Sequence, residues 1–328
     1  MTTTLTEDTT YSTLMIMSYD TIDLAGYVLT IDSQPYEWGI VITSPGTAGS
    51  VTLSGGYDLS TWSMTAGTTT LITTIPAGTE LDSLTGGSAT SAYGCSTNNG
   101  TITTCTGGSG TNARGCNSNY GTVTTCTGGT GTNAYGCNAN YSTGTITTCS
   151  GGSVANSLGC NTNYGTITTC TGGAGTNAHG CWISYKTITT CTGGSGASYG
   201  CRTSFGKITT CTGGTGTNAF GCWANQGLVT TAVGGSGTTA YGIGFNYSYV
   251  LNLTDTTRLA VGSWYSQTVF VLGPGIVGEI KAPVATIYSL GAMNAGATLP
   301  GGATVITMSE GAGGGGLMKI GQGGGYNG

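Results

Sequence analysis

Charge is the scarcest property of this 328-residue chain, in which Asp, Glu, Lys and Arg together make up 6% of the residues. An average soluble domain has about 25%. Stretches with Leu, Lys, Glu and Ala at helical spacing are few, so ordinary amphipathic helices are not expected. The 63 glycines follow no strict G-X-Y period, which excludes collagen. No run of eighteen apolar residues occurs, so no transmembrane helix and no membrane insertion are expected. The opening MTTTLTEDTT has neither a basic stretch nor an apolar core. No conventional signal peptide is therefore expected, and a route out of a cell would be a dedicated secretion system or lysis. Histidine occurs once.

The charges that exist are segregated. Residues 1–82 carry Glu7, Asp8, Asp20, Asp23, Asp32, Glu37, Asp58, Glu80 and Asp82 but no Lys or Arg. Residues 83–254 carry no acid and four bases, Arg114, Lys186, Arg202 and Lys207. The remainder balances Asp255, Glu279 and Glu310 against Arg258, Lys281 and Lys319. Four scattered bases do not make a nucleic-acid surface, so no nucleic-acid partner is expected.

Thr, Gly, Ser, Asn, Tyr and Val dominate instead, which favours strands and turns. They recur on a schedule, and that excludes disorder for most of the chain. Five segments align as tandem copies, beginning with GTITTCTGGSGTNARGCNSNY at 100–120 and ending with KTITTCTGGSGASYGCRTSF at 186–205. The period is 21 residues, with two residues gained near Ser142–Thr143 and one lost near Ala197. Degenerate copies at 80–95, 207–222 and 228–243 bring the count to eight coils between residues 80 and 245. Two short β-prone runs joined by Gly-rich turns make one coil of a β-solenoid. Stacked at about 4.8 Å, eight coils would span roughly 38 Å.

The degenerate copies show which way side chains point. The second position of the T-[IV]-T-T-C run is Leu81, Ile102, Val123, Ile146, Ile167, Ile188, Ile208 or Val229, never polar, so it faces inward. Its neighbours accept Glu80, Asp82, Lys207 and Leu228, so they face outward. The residue before each Gly-Cys pair (Tyr93, Arg114, Tyr135, Leu158, His179, Tyr199, Phe220, Tyr241) varies freely and reads as an outward row. The Ala or Ser before it fits a tight inner corner. Tyr120, Tyr141, Tyr164, Tyr185 and Phe205 are expected to stack as an aromatic ladder.

All thirteen cysteines lie in this region: Cys95, Cys105, Cys116, Cys126, Cys137, Cys149, Cys160, Cys170, Cys181, Cys191, Cys201, Cys211 and Cys222. Leu84, Ala232 and Ile243 replace them at the ends, which makes the Cys rows inward and structural. No CxxC, zinc-finger or haem spacing occurs. Two states stay open: a disulfide across each coil, or a column of buried free thiols.

Residues 1–79 read as strands of a different rhythm (Thr13–Met17, Tyr27–Asp32, Ile40–Thr43, Val51–Leu53, Trp62–Met64, Thr69–Thr74), forming an acidic N-terminal β cap or irregular early coils. Residues 246–310 supply further strands of a small C-terminal β domain, and 311–328 form a Gly-rich tail. The expected fold class is all-β, a β-solenoid of about 21-residue coils between these flanks.

Catalysis is not expected. Nucleophilic catalysis needs a base with an orienting carboxylate, and the lone His179 has no acid between 83 and 254. His179 reads as a surface ladder residue, and Glu80 with Asp82 as surface replacements of Thr. The Gly-Ser-Gly strings are solenoid turns with no helix after them. No metal or cofactor is expected.

The outward Thr rows are the candidate interaction face: Thr101/Thr103, Thr122/Thr124, Thr145/Thr147, Thr166/Thr168 and Thr187/Thr189. These five T-x-T pairs resemble the ice-binding face of hyperactive insect antifreeze β-solenoids, a resemblance that implies ordering of water. The whole chain, with its acidic cap, charge-poor Thr/Gly/Ser/Asn rod and terminal β region, resembles repeat-containing β-solenoid fibres and decoration proteins of bacteriophage virions. That resemblance implies a non-enzymatic structural protein of a virion or extracellular surface fibre. Its expected partners are copies of itself, other virion or fibre proteins and a host-surface glycan, the last as in an adhesin or spike.

Overall fold

The computed structural model describes residues 1–46, 48–236 and 242–244 in full. It adds, as backbone strand alone, 245–246, 249–254, 260–262, 268–272, 279–281, 285–290, 304–308 and 321–322. Among the described residues helix is limited to one 3-10 turn, Tyr11–Thr13. The rest is strand and turn wound into a parallel β-solenoid.

One coil shows how the sequence makes the fold. A short strand, Cys116–Asn119, turns a corner at Tyr120–Gly121 into a long strand, Thr122–Thr127. Two glycines and a Thr132-Asn133-Ala134 turn then return the chain to Gly136–Cys137. Asn133 sits in the left-handed region at φ 57°, as do Asn112, Asn156, Asn177 and Asn218 in their own coils. Asn tolerates that conformation better than other residues with a side chain. Gly115, ahead of Cys116, has a different reason: a Cβ there would lie 2.7 Å from the Cys105 carbonyl oxygen and 2.8 Å from that of Gly136.

Like residues pair with like in parallel register. Thr101 pairs with Thr122, then Thr145, Thr166 and Thr187. On the other face Cys95, Cys116, Cys137, Cys160, Cys181, Cys201 and Cys222 form one column. The N-terminal residues take the form of irregular early coils. Thr21 pairs with Thr2 and Val41, and Asp58 pairs with Glu80, all parallel and in the same sheet. From Thr2–Thr4 to Leu228–Val233 that sheet has twelve strands, or about 53 Å at eleven steps of ~4.8 Å. Parallel pairing continues through 249–254, 268–272, 285–290 and 304–308.

The expected strand at Thr13–Met17 does not form. Ile16 is buried and Met15 and Met17 are exposed, so the alternation holds, but no neighbouring strand pairs with it. The expected strands Ile40–Thr43, Val51–Leu53 and Trp62–Met64 match Val41–Ser44, Ser50–Leu53 and Asp58–Ala66 to within a few residues.

The interior is a narrow slot filled by columns. Ile102 and Cys105 from the long strand, and Cys116 and Asn119 from the short strand, have no exposed surface. Burying each Ile or Val contributes roughly 1.5–3 kcal/mol. Ile102 and Cys105 are three residues apart and both point inward, so Thr103 and Thr104 stand side by side outside and the strand bends between them. Toward the N-terminus Leu84, Met64, Ile42 and Ile22 continue the long-strand Cys column, Ile72 continues the short-strand one, and Ile75 takes the place opposite Asn98.

Candidate interaction faces and the thiol core

The thirteen cysteines fall into two columns, both fully buried, with every thiol free. Cys105, Cys126, Cys149, Cys170, Cys191 and Cys211 stack on the long-strand side. The columns interact: the neighbours that shift the Cys126 thiol are Cys105 and Cys149 in its own column and Cys137 across the slot. Long-strand thiols donate to the carbonyl that precedes the next Cys, as from Cys105 Sγ to Gly115 O at 3.0 Å and from Cys170 Sγ to Gly180 O at 3.0 Å. Burial first, and neighbouring sulfurs second, push the Cys149, Cys181 and Cys191 thiols well above the ordinary range. Others, among them Cys126 and Cys160, are pushed down by neighbouring sulfurs, so the stacked thiols oppose one another, and it is their complete burial that marks them as packing groups.

Beside them runs a column absent from the sequence-based expectation. Asn98 Nδ2 donates to Asn119 Oδ1 at 2.8 Å, Asn119 to Asn140 at 2.9 Å, and Asn140 to Asn163 at 2.9 Å. Asn163 donates to Ser184 Oγ at 3.3 Å. All five are fully buried. Each amide thus satisfies its neighbour inside the slot, the arrangement known from stacked in-register strands. The signal lay in the C-x-x-[NS] spacing, which matches the inward-to-inward spacing of I-x-x-C.

The Thr rows lie where expected. Thr101, Thr103, Thr122, Thr124, Thr145, Thr147, Thr166, Thr168 and Thr189 are exposed, and Thr187 is half-exposed. On the next corner the aromatic ladder forms, with ring centroids 4.2 Å apart for Tyr120–Tyr141, 4.8 Å for Tyr164–Tyr185 and 5.0 Å for Tyr185–Phe205. Its one wide step, 6.3 Å between Tyr141 and Tyr164, falls where Ser142–Thr143 are inserted.

The expectation for His179 needs correcting. It is buried at 3% exposure, not a surface residue, because the neighbouring row roofs it. Its ring stacks on Tyr199 at 4.5 Å and lies 5.5 Å from Trp182. Nδ1 accepts the Tyr199 backbone N–H at 2.9 Å. Burial, and then the Arg202 guanidinium, lower its pKa to about 4, so the imidazole is neutral at ordinary pH. Leu158 and Phe220 of the same row are buried too. Arg202 lies over the Trp182 ring at 3.7 Å.

The acids of the N-terminal coils serve the turns. Asp8 accepts the Val28 N–H at 2.9 Å, Asp23 that of Ala25 at 3.0 Å and Asp58 that of Ser60 at 3.0 Å. The same coils expose large apolar side chains together: Met15, Met17, Tyr19, Tyr36 and Trp38, from 64% to 97% exposed. The two segments touch, since Tyr19 N–H donates to the Trp38 carbonyl at 2.6 Å.

No family model, curated protein or solved structure matches this chain.

Proposed function

We propose that the protein is a non-enzymatic structural rod of an extracellular fibre or virion, joined end-on to further copies of itself through its first two coils. The exposed cluster of Met15, Met17, Tyr19, Tyr36 and Trp38 carries this reading. Monomeric soluble proteins rarely leave so many large apolar groups contiguous and exposed, and such patches mark protein contacts. The cluster sits at the end of a stack whose N-terminal coils are acidic and whose middle is basic. Opposite charges favour head-to-tail association, modestly under salt screening. Light scattering and negative-stain microscopy of purified protein should show regular oligomers or rods. Tyr36→Ser with Trp38→Ser should leave monomers that melt normally. A wild-type chain that stays monomeric at high concentration would remove the reading.

A second reading rests on the Thr face, whose exposed pairs repeat in register over successive coils. Successive pairs stand one strand spacing, about 4.8 Å, apart, an array that could order water as the resemblance to antifreeze solenoids implies. It predicts ice-crystal shaping and thermal hysteresis, both abolished by Thr145→Lys with Thr166→Lys. Absence of hysteresis in the wild type would leave the rod reading alone.

A further inference from the structure

Two outward rows flank the second Cys column, and where they meet the protein fills one slot and leaves the next open. In the first, the Arg114 guanidinium lies between two rings, 5.5 Å from Tyr93 and 5.4 Å from Tyr135. Asn117 Oδ1 accepts from Arg114 Nη1 at 2.6 Å and holds it there. Tyr93 and Tyr135 are two coils apart. The next two-coil interval runs from Tyr135 to His179, about 9.5 Å on the same stacking. The residue between them is Leu158, an aliphatic side chain buried against the coil. A cleft of about 540 Å³ opens at this place.

Polar groups converge on the same gap. The turn asparagines form a carboxamide chain along the rod: Asn133 donates to Asn112 at 3.2 Å and Asn177 to Asn156 at 3.3 Å. Between Asn133 and Asn156 the chain is broken. Asn133 Oδ1 and Asn156 Nδ2 line the cleft with no partner among the described residues. Arg202 closes one side, fixed on Trp182. No acid exists between residues 83 and 254, so nothing near it in sequence neutralises that guanidinium.

We propose that this slot binds a carboxylated pyranose, a uronic or sialic acid unit of a surface glycan. A C–H face of the sugar would stack on the half-exposed Tyr135 ring, above buried Leu158 and His179. Its hydroxyls would pair with the carboxamides of Asn133 and Asn156, and its carboxylate with Arg202. This site lies on the rod's side and is independent of the end patch, so its failure leaves the assembly reading unaffected.

The experiment is calorimetric titration of the full chain with tetragalacturonate, 3′-sialyllactose, maltotetraose and AMP. One carboxylated probe should bind at least tenfold tighter than maltotetraose, and which one decides between the two acid classes. Arg202→Gln should weaken that binding roughly tenfold or more, the scale of a lost charged hydrogen bond. Leu158→Arg should abolish it by filling the slot as Arg114 fills its own, while Leu158→Ala retains it. Melting temperature and circular dichroism would check that each variant is folded. Absence of binding by both carboxylated probes overturns the proposal. So does unchanged binding in Arg202→Gln or in folded Leu158→Arg. Tighter binding of AMP or maltotetraose would refute the acidic-sugar assignment.

Discussion

A single imidazole makes this rod sensitive to acid. The folded-state pKa of His179, about 4, lies below the unfolded value near 6.5. Above pH ~6.5 the ring is neutral in both states, and its stacking on Tyr199 stabilises the fold in full. Between ~6.5 and ~4 the unfolded chain takes up the proton first, so stability is lost as pH falls. Below ~4 both states are protonated and the loss levels off, at a total of order 3 kcal/mol. His179→Tyr places in the row the ring already used at Tyr135 and Tyr199. The melting temperature of wild type should therefore drop relative to that variant between pH 6.5 and 5. Parallel curves would show that His179 does not carry the effect. Sequence placed His179 in its row correctly but missed its burial. Rows were legible one at a time, whereas burial comes from Trp182 and Arg202 of the adjacent row, and no periodicity reports that contact.

At the scale of the strands, the inward columns of Ile and Cys could be read from the sequence because the terminal coils replace them with Leu, Ala and Ile. The asparagine column could not be read that way, since its replacements within the repeat, Ser184 and Ser204, are polar, and its apolar one, Ile75 opposite Asn98, lies before the repeat begins. In a lone strand a polar residue points to water. Inside a stack of like strands each carboxamide finds the same group one step away, and burial then costs little. Asn119→Leu should lower stability by roughly 1–3 kcal/mol, because Asn140 Oδ1 loses its partner and Asn98 Nδ2 keeps only the Thr122 carbonyl at 3.3 Å. Asn119→Ser, the substitution nature makes two and three coils beyond Asn140, should cost clearly less. Denaturant midpoints of the two variants test this, and equal losses would mean that volume matters there and not hydrogen bonding. The open thiol question also belongs at this scale. The structure has every thiol of both columns free and fully buried.

For the molecule as a whole, the repeat was legible from residue 80 onward, while for 1–79 irregular early coils stood only as an alternative to an acidic cap. Those early coils keep a period of about twenty residues, with Thr2 opposite Thr21 and Thr21 opposite Val41, but they abandon the Cys motif. Their interior is filled by Trp62, Ile22 and Ile42, which carry no repeat signature. The fold persists because parallel stacking asks only for an inward apolar residue at the right step, and a motif search asks for more than that.

The in-register pairing has a consequence for how such a molecule can change. Each middle coil presents the same edge above and below, so a duplicated or deleted copy would meet its new neighbours as the old one did. Length is then a tally of copies, set in steps of about 4.8 Å. Near-identical coding segments are the kind that unequal recombination lengthens or shortens. A lineage could retune the reach of this rod in single events, keeping both ends and every lateral row intact.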